Sequence, residues 1–432
     1  LISCALALLM LFGASSVAEI AARQNADSAL ELFKAVDTYP QRRREEMRAQ
    51  GKHIDRETND KIEHEQRDLA ASSAAKLAAR QSLTADDLYY LGLLYNYAGK
   101  RDDALSALRR FLADEHAPAN GAAVQLARSF VVVYAAQTKL FDEAERVRAE
   151  FLAAEPKTPF KVYQIEFELG AAYLKAKQYE RAVERGAEAF RLARTLKQAD
   201  LPAALRREQM LFSTGAMLAE AYSDAKRKDD ALATVIALYR LALELPSANL
   251  YRLVAGRFPD KKDDAERALA ALPPEERAAP PELTVAEWID QTPTKLADLR
   301  GQVVLIDFWY EWCGPCRAAF PTIRGWHKKY HDKGFVVIGL TDLQRTLGAT
   351  DKSRDEKLEY IRKLKRDEGI PYAFAVAEQV SDNLTAYGVS VFPTSMLIDR
   401  RGVVRYIGIG VSPAEMSRLG DVIEKLVKEP AP

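Results

Sequence analysis

The segment Val303 to Cys316, VVLIDFWYEWCGPC, constrains this chain more than any other. VVLIDFWY is apolar except for Asp307 and reads as a strand buried on both faces. It ends in a turn that holds two of the chain's three cysteines, and Arg317 to Tyr330 follows as a predicted helix. A strand that delivers Cys313 to a helix start sets its sulfur beside unpaired backbone N–H groups and the positive end of the helix dipole, which favour thiolate over thiol. Gly314-Pro315 closes the turn, because proline is tolerated in a first helical turn, and holds Cys316 within bonding reach. The pair is therefore expected to open and close as a disulfide. Two other readings compete. A purely structural bridge across so small a loop would constrain the unfolded chain very little. A zinc site would use Cys313, Cys316, His327 and His331, but a helix from Cys316 to His327 separates those two by about 16 Å at about 1.5 Å per residue. Zinc ligands must lie about 2 Å from one ion, so the histidines are read as surface positions of an amphipathic helix. A bare carboxylate inside the strand is costly, so Asp307 is expected to have a raised pKa or a buried partner.

Strands and helices alternate around this segment. FVVIGL is a second buried strand, Ser353 to Glu368 a helix, SMLID and VVRYIGI a hairpin turning at Arg401-Gly402, and Pro413 to Lys428 a closing helix. This alternation predicts one α/β domain over 282–430, a central mixed sheet flanked by helices. The charged stretch Gln344 to Glu368 is read as a surface helix insertion.

With 432 residues the chain exceeds what a single core supports, so further domains precede this one. Residues 85–258 carry windows such as LYYLGLLYNYAGKRDDALSALRRFL, in which Leu91, Gly92, Tyr95, Ala104 and Leu108 suit the packing of one helix on the next. Three later windows centre on Phe141-Asp142-Glu143-Ala144, on Gly170, Tyr173 and Ala182, and on Tyr222 with Asp230-Ala231-Leu232. At a spacing of about 40 residues they resemble tetratricopeptide repeats, although a plain helical bundle fits the same pattern. Either way the region is all-helical, and a repeat array would offer a face to a protein or peptide partner. Residues 19–84 read as a helical segment of unknown role. Pro259, Pro273-Pro274 and Pro280-Pro281 mark 259–281 as an extended linker with few long-range contacts.

The amino end is apolar from Leu1 to Phe12, and Ser16-Val17-Ala18 offers small residues for cleavage after Ala18, so 1–18 is read as a signal peptide. An uncleaved anchor, a lipid acceptor at Cys4 and an ordinary buried core helix are the alternatives. The expected location is extracytoplasmic, in the periplasm. Lys plus Arg and Asp plus Glu both number 62, which leaves no net field to draw the chain onto nucleic acid. Arg42-Arg43-Arg44 is followed by Glu45-Glu46 and reads as a solvated helix face.

Asp307 to Cys316, with Pro321 beyond, resembles thioredoxin, and the long preceding segment with its leader is similar to the TlpA-like extracytoplasmic thioredoxins. The resemblance implies that Cys313 attacks, that Cys316 resolves the mixed disulfide, and that Asp307 relays a proton for Cys316. Trp312 would shield one side of the pair, and Gly314, Pro315, Phe392 and Pro393 would line the substrate groove. Within Tyr387 to Thr394 the resemblance implies a cis bond before Pro393. Val391 stands where the family usually has glycine, Phe392 where it often has a small or aliphatic residue, and Thr341-Asp342 supplies no lysine beside Asp307. The implied activity is thiol–disulfide exchange on protein substrates without metal or organic cofactor. A Gly-Pro turn of this kind favours reduction and so demands an electron donor, a membrane reductase. A thiol peroxidase is disfavoured because Cys313 lacks a Pro-x3-Thr-x2-Cys setting. An adaptor with a structural redox domain is the reading from another class, and retention of Cys313, Cys316, Asp307 and Pro393 counts against it.

Overall fold

The computed structural model describes residues 28–203, 205–270, 279–343, 353–378 and 381–431. The predicted leader at 1–18, Pro273-Pro274 and the start of the predicted insertion, 344–352, lie outside the described residues. The chain forms two compact units, one ending at Leu192 and one beginning at Ala193.

In the first unit, α1 (Ala29–Asp37), α2 (Tyr39–Ala49) and α3 (Arg56–Ala78) precede paired helices. The Arg-Arg-Arg-Glu-Glu run lies on α2, where Arg43 and Glu46 form an ion pair at 3.2 Å and none of the helix is buried. The pairs are α4 (Ala85–Tyr97) with α5 (Arg101–Ala113), α6 (Ala122–Gln137) with α7 (Phe141–Ala153), and α8 (Pro159–Lys175) with α9 (Tyr179–Thr195). A fourth pair, α10 (Arg207–Asp224) with α11 (Lys228–Glu244), belongs to the second unit. All four turns share one geometry. The middle residue of each takes a positive φ: Gly99 at 72°, Lys139 at 64°, Lys177 at 61° and Lys226 at 66°. In the first, the Gly99 N–H donates to the Asn96 carbonyl and the Lys100 N–H to that of Tyr95, and the other three repeat this pattern. This pair of hydrogen bonds closes helix ends in the Schellman manner and satisfies carbonyls that the helix leaves unpaired. Three of the four use lysine where glycine would be easier, so the geometry is imposed by the pairing and not by local preference. A Cβ at Gly92 would lie 2.5 Å from Leu108 Cγ, and one at Gly215 would lie 2.6 Å from Leu238 Cδ2. The first and fourth pairs therefore cross glycine on leucine, the packing expected for Gly92 and Leu108.

The second unit holds a six-stranded sheet in the order β1-β4-β3-β2-β5-β6. Its strands are β1 (Glu287–Ile289), β2 (Val303–Phe308), β3 (Phe335–Asp342), β4 (Ala373–Ala377), β5 (Thr394–Ile398) and β6 (Val404–Ile409). β2, β3 and β4 run parallel, while β1, β5 and β6 pair antiparallel, giving the mixed sheet expected. Helices α14 (Gly314–Tyr330), α15 (Arg354–Asp367), α16 (Ser381–Ala386) and α17 (Pro413–Lys428) interleave with these strands. The sequence reading missed β1, β4 and α16, which are too short to show a period. The predicted insertion is also corrected: α15 is capped by Ser353 and buries Leu358, Ile361 and Leu364 in the core around the cysteines. Its charged composition concealed one apolar face, which makes it part of the domain.

The reading of 259–281 as an extended linker with few contacts is corrected where the chain is described. Pro259 starts a 3-10 turn, and α13 (Lys262–Ala270) follows as a helix. Lys262 bonds Glu415 at 3.1 Å and Asp263 meets Arg418 at 3.0 Å, both partners lying on α17. Composition shows prolines and charges but not the opposite charges awaiting them. Helices α11 and α12 (Ala248–Arg257) lie against β6, so a sheet edge that would otherwise offer unpaired backbone is covered.

α12 also reaches the loop ahead of β5. Its first N–H groups have no intrahelical partner, and those of Ala248 and Asn249 donate to the carbonyls of Tyr387 at 3.0 Å and Gly388 at 2.7 Å. Ser390 Oγ donates to Asn249 Oδ1. Gly388 has φ 53°, and a Cβ there would stand 2.5 Å from Ser247 Oγ and 3.2 Å from Ser247 Cα. Gly388→Ala should therefore combine left-handed strain with a clash against Ser247 Oγ and crowding of the Ser247 backbone. The expected loss of stability is about 1–3 kcal/mol, read from urea unfolding. An unchanged midpoint would mean that α12 does not clamp this loop.

Candidate active site around Cys313 and Cys316

All of β2 is buried, which places Asp307 inside the sheet, level with Gly339 on β3 and Ser395 on β5. Beyond β2, Trp309, Tyr310 and Glu311 stay buried, while Trp312 turns outward and is 43% exposed. Cys313 caps α14 and its Sγ accepts the Cys316 N–H at 3.2 Å. The helix thus begins three residues earlier than predicted, with Gly314 and Pro315 exposed in its first turn. Cys313 and Cys316 are joined as a disulfide with Cα atoms 5.2 Å apart. Cys313 is 5% exposed and Cys316 is fully buried, so the first sulfur is the one a substrate can approach. Among the described residues no group of three or more His, Cys, Asp or Glu is placed to hold a metal.

Two of the predicted site residues, Trp312 and Phe392, meet through a residue that the sequence reading did not single out. Tyr310 stacks on Trp312 with ring centroids 5.0 Å apart, and Phe392 meets Tyr310 edge-on at 4.6 Å. Tyr310 lies within DFWYEWCGPC, and its size beside a cysteine turn was the available signal. The peptide bond between Phe392 and Pro393 is cis. Pro393 is buried immediately before β5, and its carbonyl accepts the Gly410 N–H at 2.9 Å.

Asp307 is fully buried. Ser395 Oγ donates to Oδ1 at 3.3 Å, and among the described residues Oδ2 has no hydrogen-bond partner. Burial pushes its pKa from the ordinary 3.8 up to about 7, opposed only by the Ser395 hydrogen bond. No cation contributes, in keeping with the absence of lysine at Thr341-Asp342. Burial raises the Tyr372 pKa, and the nearby Asp307 charge raises it further. Ser395 was also missed: its link to Asp307 is a cross-strand register that no local pattern shows.

Residues 275–423 match the Redoxin family. The chain is 34% identical over 130 residues to Protein DipZ of Mycobacterium tuberculosis, covering 29% of this chain and 17% of DipZ. It is 30% identical over 110 residues to the thiol-disulfide oxidoreductase ResA of Bacillus anthracis, covering 26% of this chain and 56% of ResA. A solved structure from Chlorobium tepidum, described as a thiol:disulfide interchange protein of DsbE type, is 30% identical with a TM-score of 0.29, covering 34% of this chain and 95% of that one. The chain thus spans little more than half of ResA and a smaller share of DipZ. The carboxy-terminal domain has a thioredoxin-like fold, matches the Redoxin family over residues 275–423 and is similar to proteins named thiol-disulfide oxidoreductases.

Proposed function

We propose that the protein is an extracytoplasmic, TlpA-like thiol–disulfide oxidoreductase that reduces disulfides of protein substrates. The observation that carries this reading is the Cys313–Cys316 disulfide at the amino end of a helix, with the more accessible sulfur first. In the reduced protein the Cys313 thiolate attacks one sulfur of a substrate disulfide, forms a mixed disulfide and releases the other substrate sulfur as a thiolate. Cys316 then gives up its proton and attacks Sγ of Cys313, which releases the second substrate thiol and forms the bridge seen here. Two electrons pass from the dithiol to the substrate. The bridge must next be reduced by a dithiol donor, which in an oxidising compartment we assign to a membrane reductase. Asp307, with a pKa near neutrality, is suited to accept the Cys316 proton. Trp312, Tyr310 and Phe392 form the aromatic wall beside the pair, and Gly314 and Pro315 leave its approach open. The predicted leader supports the extracytoplasmic location. Among the described residues no helix is long and apolar enough to cross a membrane. The repeated helix turns support a tetratricopeptide-type array suited to a protein or peptide partner.

The test is to halt the reaction midway. With Cys316→Ser, a disulfide-bearing model protein should accumulate as an adduct of summed mass that a small dithiol dissolves, whereas the wild-type protein accumulates none. Absence of any adduct would remove the mixed disulfide at Cys313 from the mechanism.

A further inference from the structure

A cavity of about 840 Å³ opens in the second unit against the loop that leads to Phe392 and Pro393. Three segments wall it: Leu205 to Gln209 at the start of α10, Asn249 to Leu253 on α12, and the Leu384 to Ser390 stretch that leads to the cis-proline. Its charges are unbalanced. Arg206, Arg207 and Arg252 line it against Glu208, the single acid among its lining residues. Arg206 and Arg252 are exposed, while Arg207 is held by its backbone N–H, which donates to Gln198 Oε1 at 2.9 Å, and by its guanidinium, which donates to the Arg194 carbonyl at 3.2 Å. Between the arginines run Leu253, Leu384 and Val389. Leu384 also lines the small pocket formed by Tyr310 and Phe392, so one side chain borders both the cavity and the aromatic wall of the active site. Ser390, at its near end, precedes Phe392 by two residues.

We propose that this groove binds an acidic, extended segment of the substrate polypeptide flanking the disulfide that Cys313 attacks. The proposal rests on the reductase reading for the identity of the substrate, though not for binding itself. An extended chain advances about 3.3 Å per residue, so a few residues beyond the attacked cysteine would pass from the aromatic wall into the groove. There acidic side chains would meet the arginines while alternate apolar ones meet Leu253, Leu384 and Val389. Complementary charge of this kind acts on encounter and on choice among substrates more than on total affinity. The clamp of α12 on Tyr387 and Gly388 fixes one wall of the groove to the loop that carries Phe392. The helices before the redoxin domain thereby become part of how a substrate is chosen.

The experiment uses disulfide-containing peptides identical except for flanks of three acidic, neutral or basic residues. Binding to oxidised full-length protein is followed by fluorescence anisotropy, and reduction is followed separately with a dithiol donor. The acidic peptide is expected to bind at least about tenfold more tightly than the basic one at low ionic strength. The preference should shrink as salt shortens the screening length to about 8 Å. In the Arg206→Glu/Arg252→Glu protein, shown by thermal melting to be folded, the order should invert. Equal binding of the three peptides, or an acidic preference unchanged in the double variant, would overturn the proposal. Sedimentation that shows self-association abolished by the double variant would make the occupant a second copy of the chain and would also overturn it. Acidic binding without reduction of any peptide would uphold the groove and remove the reductase reading instead.

Discussion

Replacing Cys313 by serine is expected to bring reduction of a protein disulfide down to the rate of the dithiol donor acting alone. A serine hydroxyl at this position is a poor nucleophile toward sulfur, and the helix start that favours a thiolate cannot ionise it. Cys316 cannot take over, because its side chain in the first turn of α14 is fully buried while Cys313 retains 5% exposure. The measurement is the initial rate for wild-type and variant with the same donor. Equal rates would show that the redoxin domain is a structural appendage and would favour the adaptor reading. Loss of activity in Cys313→Ser, together with adduct formation in Cys316→Ser, separates attack from resolution.

Asp307→Asn is expected to have two opposite effects. Asparagine cannot accept a proton, so resolution by Cys316 should slow by about 100-fold, within the range general-base catalysis contributes, while attack by Cys313 changes little. The pH dependence of resolution near pH 7 should disappear with it, because burial brings the Asp307 pKa to about 7. Equal slowing of both half-reactions would remove the proton-relay role. Stability should move the other way. The folded protein holds this proton up to about pH 7, whereas the unfolded chain releases it near 3.8. Between those values the native state binds more protons than the unfolded state, so stability falls as pH rises. It is intact below about pH 4 and reduced by roughly 4 kcal/mol above pH 7. Asp307→Asn has no such carboxylate and should be more stable than the wild type at pH 8, with the advantage fading toward pH 4. Urea unfolding at the two pH values checks this. A variant less stable than wild type at pH 8 would mean that the buried carboxylate is compensated by groups other than Ser395.

Much of the redox centre is local and can be read from neighbouring residues. A continuous apolar run, a two-cysteine turn and a helix-period pattern occupy neighbouring residues, and each has few structural solutions. Strand, disulfide and buried acid were therefore legible in Val303 to Cys316, while the cis bond before Pro393 was implied only by the thioredoxin resemblance of Tyr387 to Thr394. The pairing of Gly92 with Leu108 was legible for a similar reason, since both lie in one helix-turn-helix. What meets across the chain depends on tertiary packing. Ser395 reaches Asp307 through strand register, and Tyr310 joins Trp312 to Phe392 through loop placement. The stretch 259–281 reads as an extended linker because its prolines and charges are visible while their partners are not. Lys262 finds Glu415, and α12 caps itself on Tyr387 and Gly388, more than a hundred residues away. Unpaired groups at a helix end and unpaired charges on a short helix announce a need for partners. Sequence shows that need, and the fold alone supplies the groups that meet it.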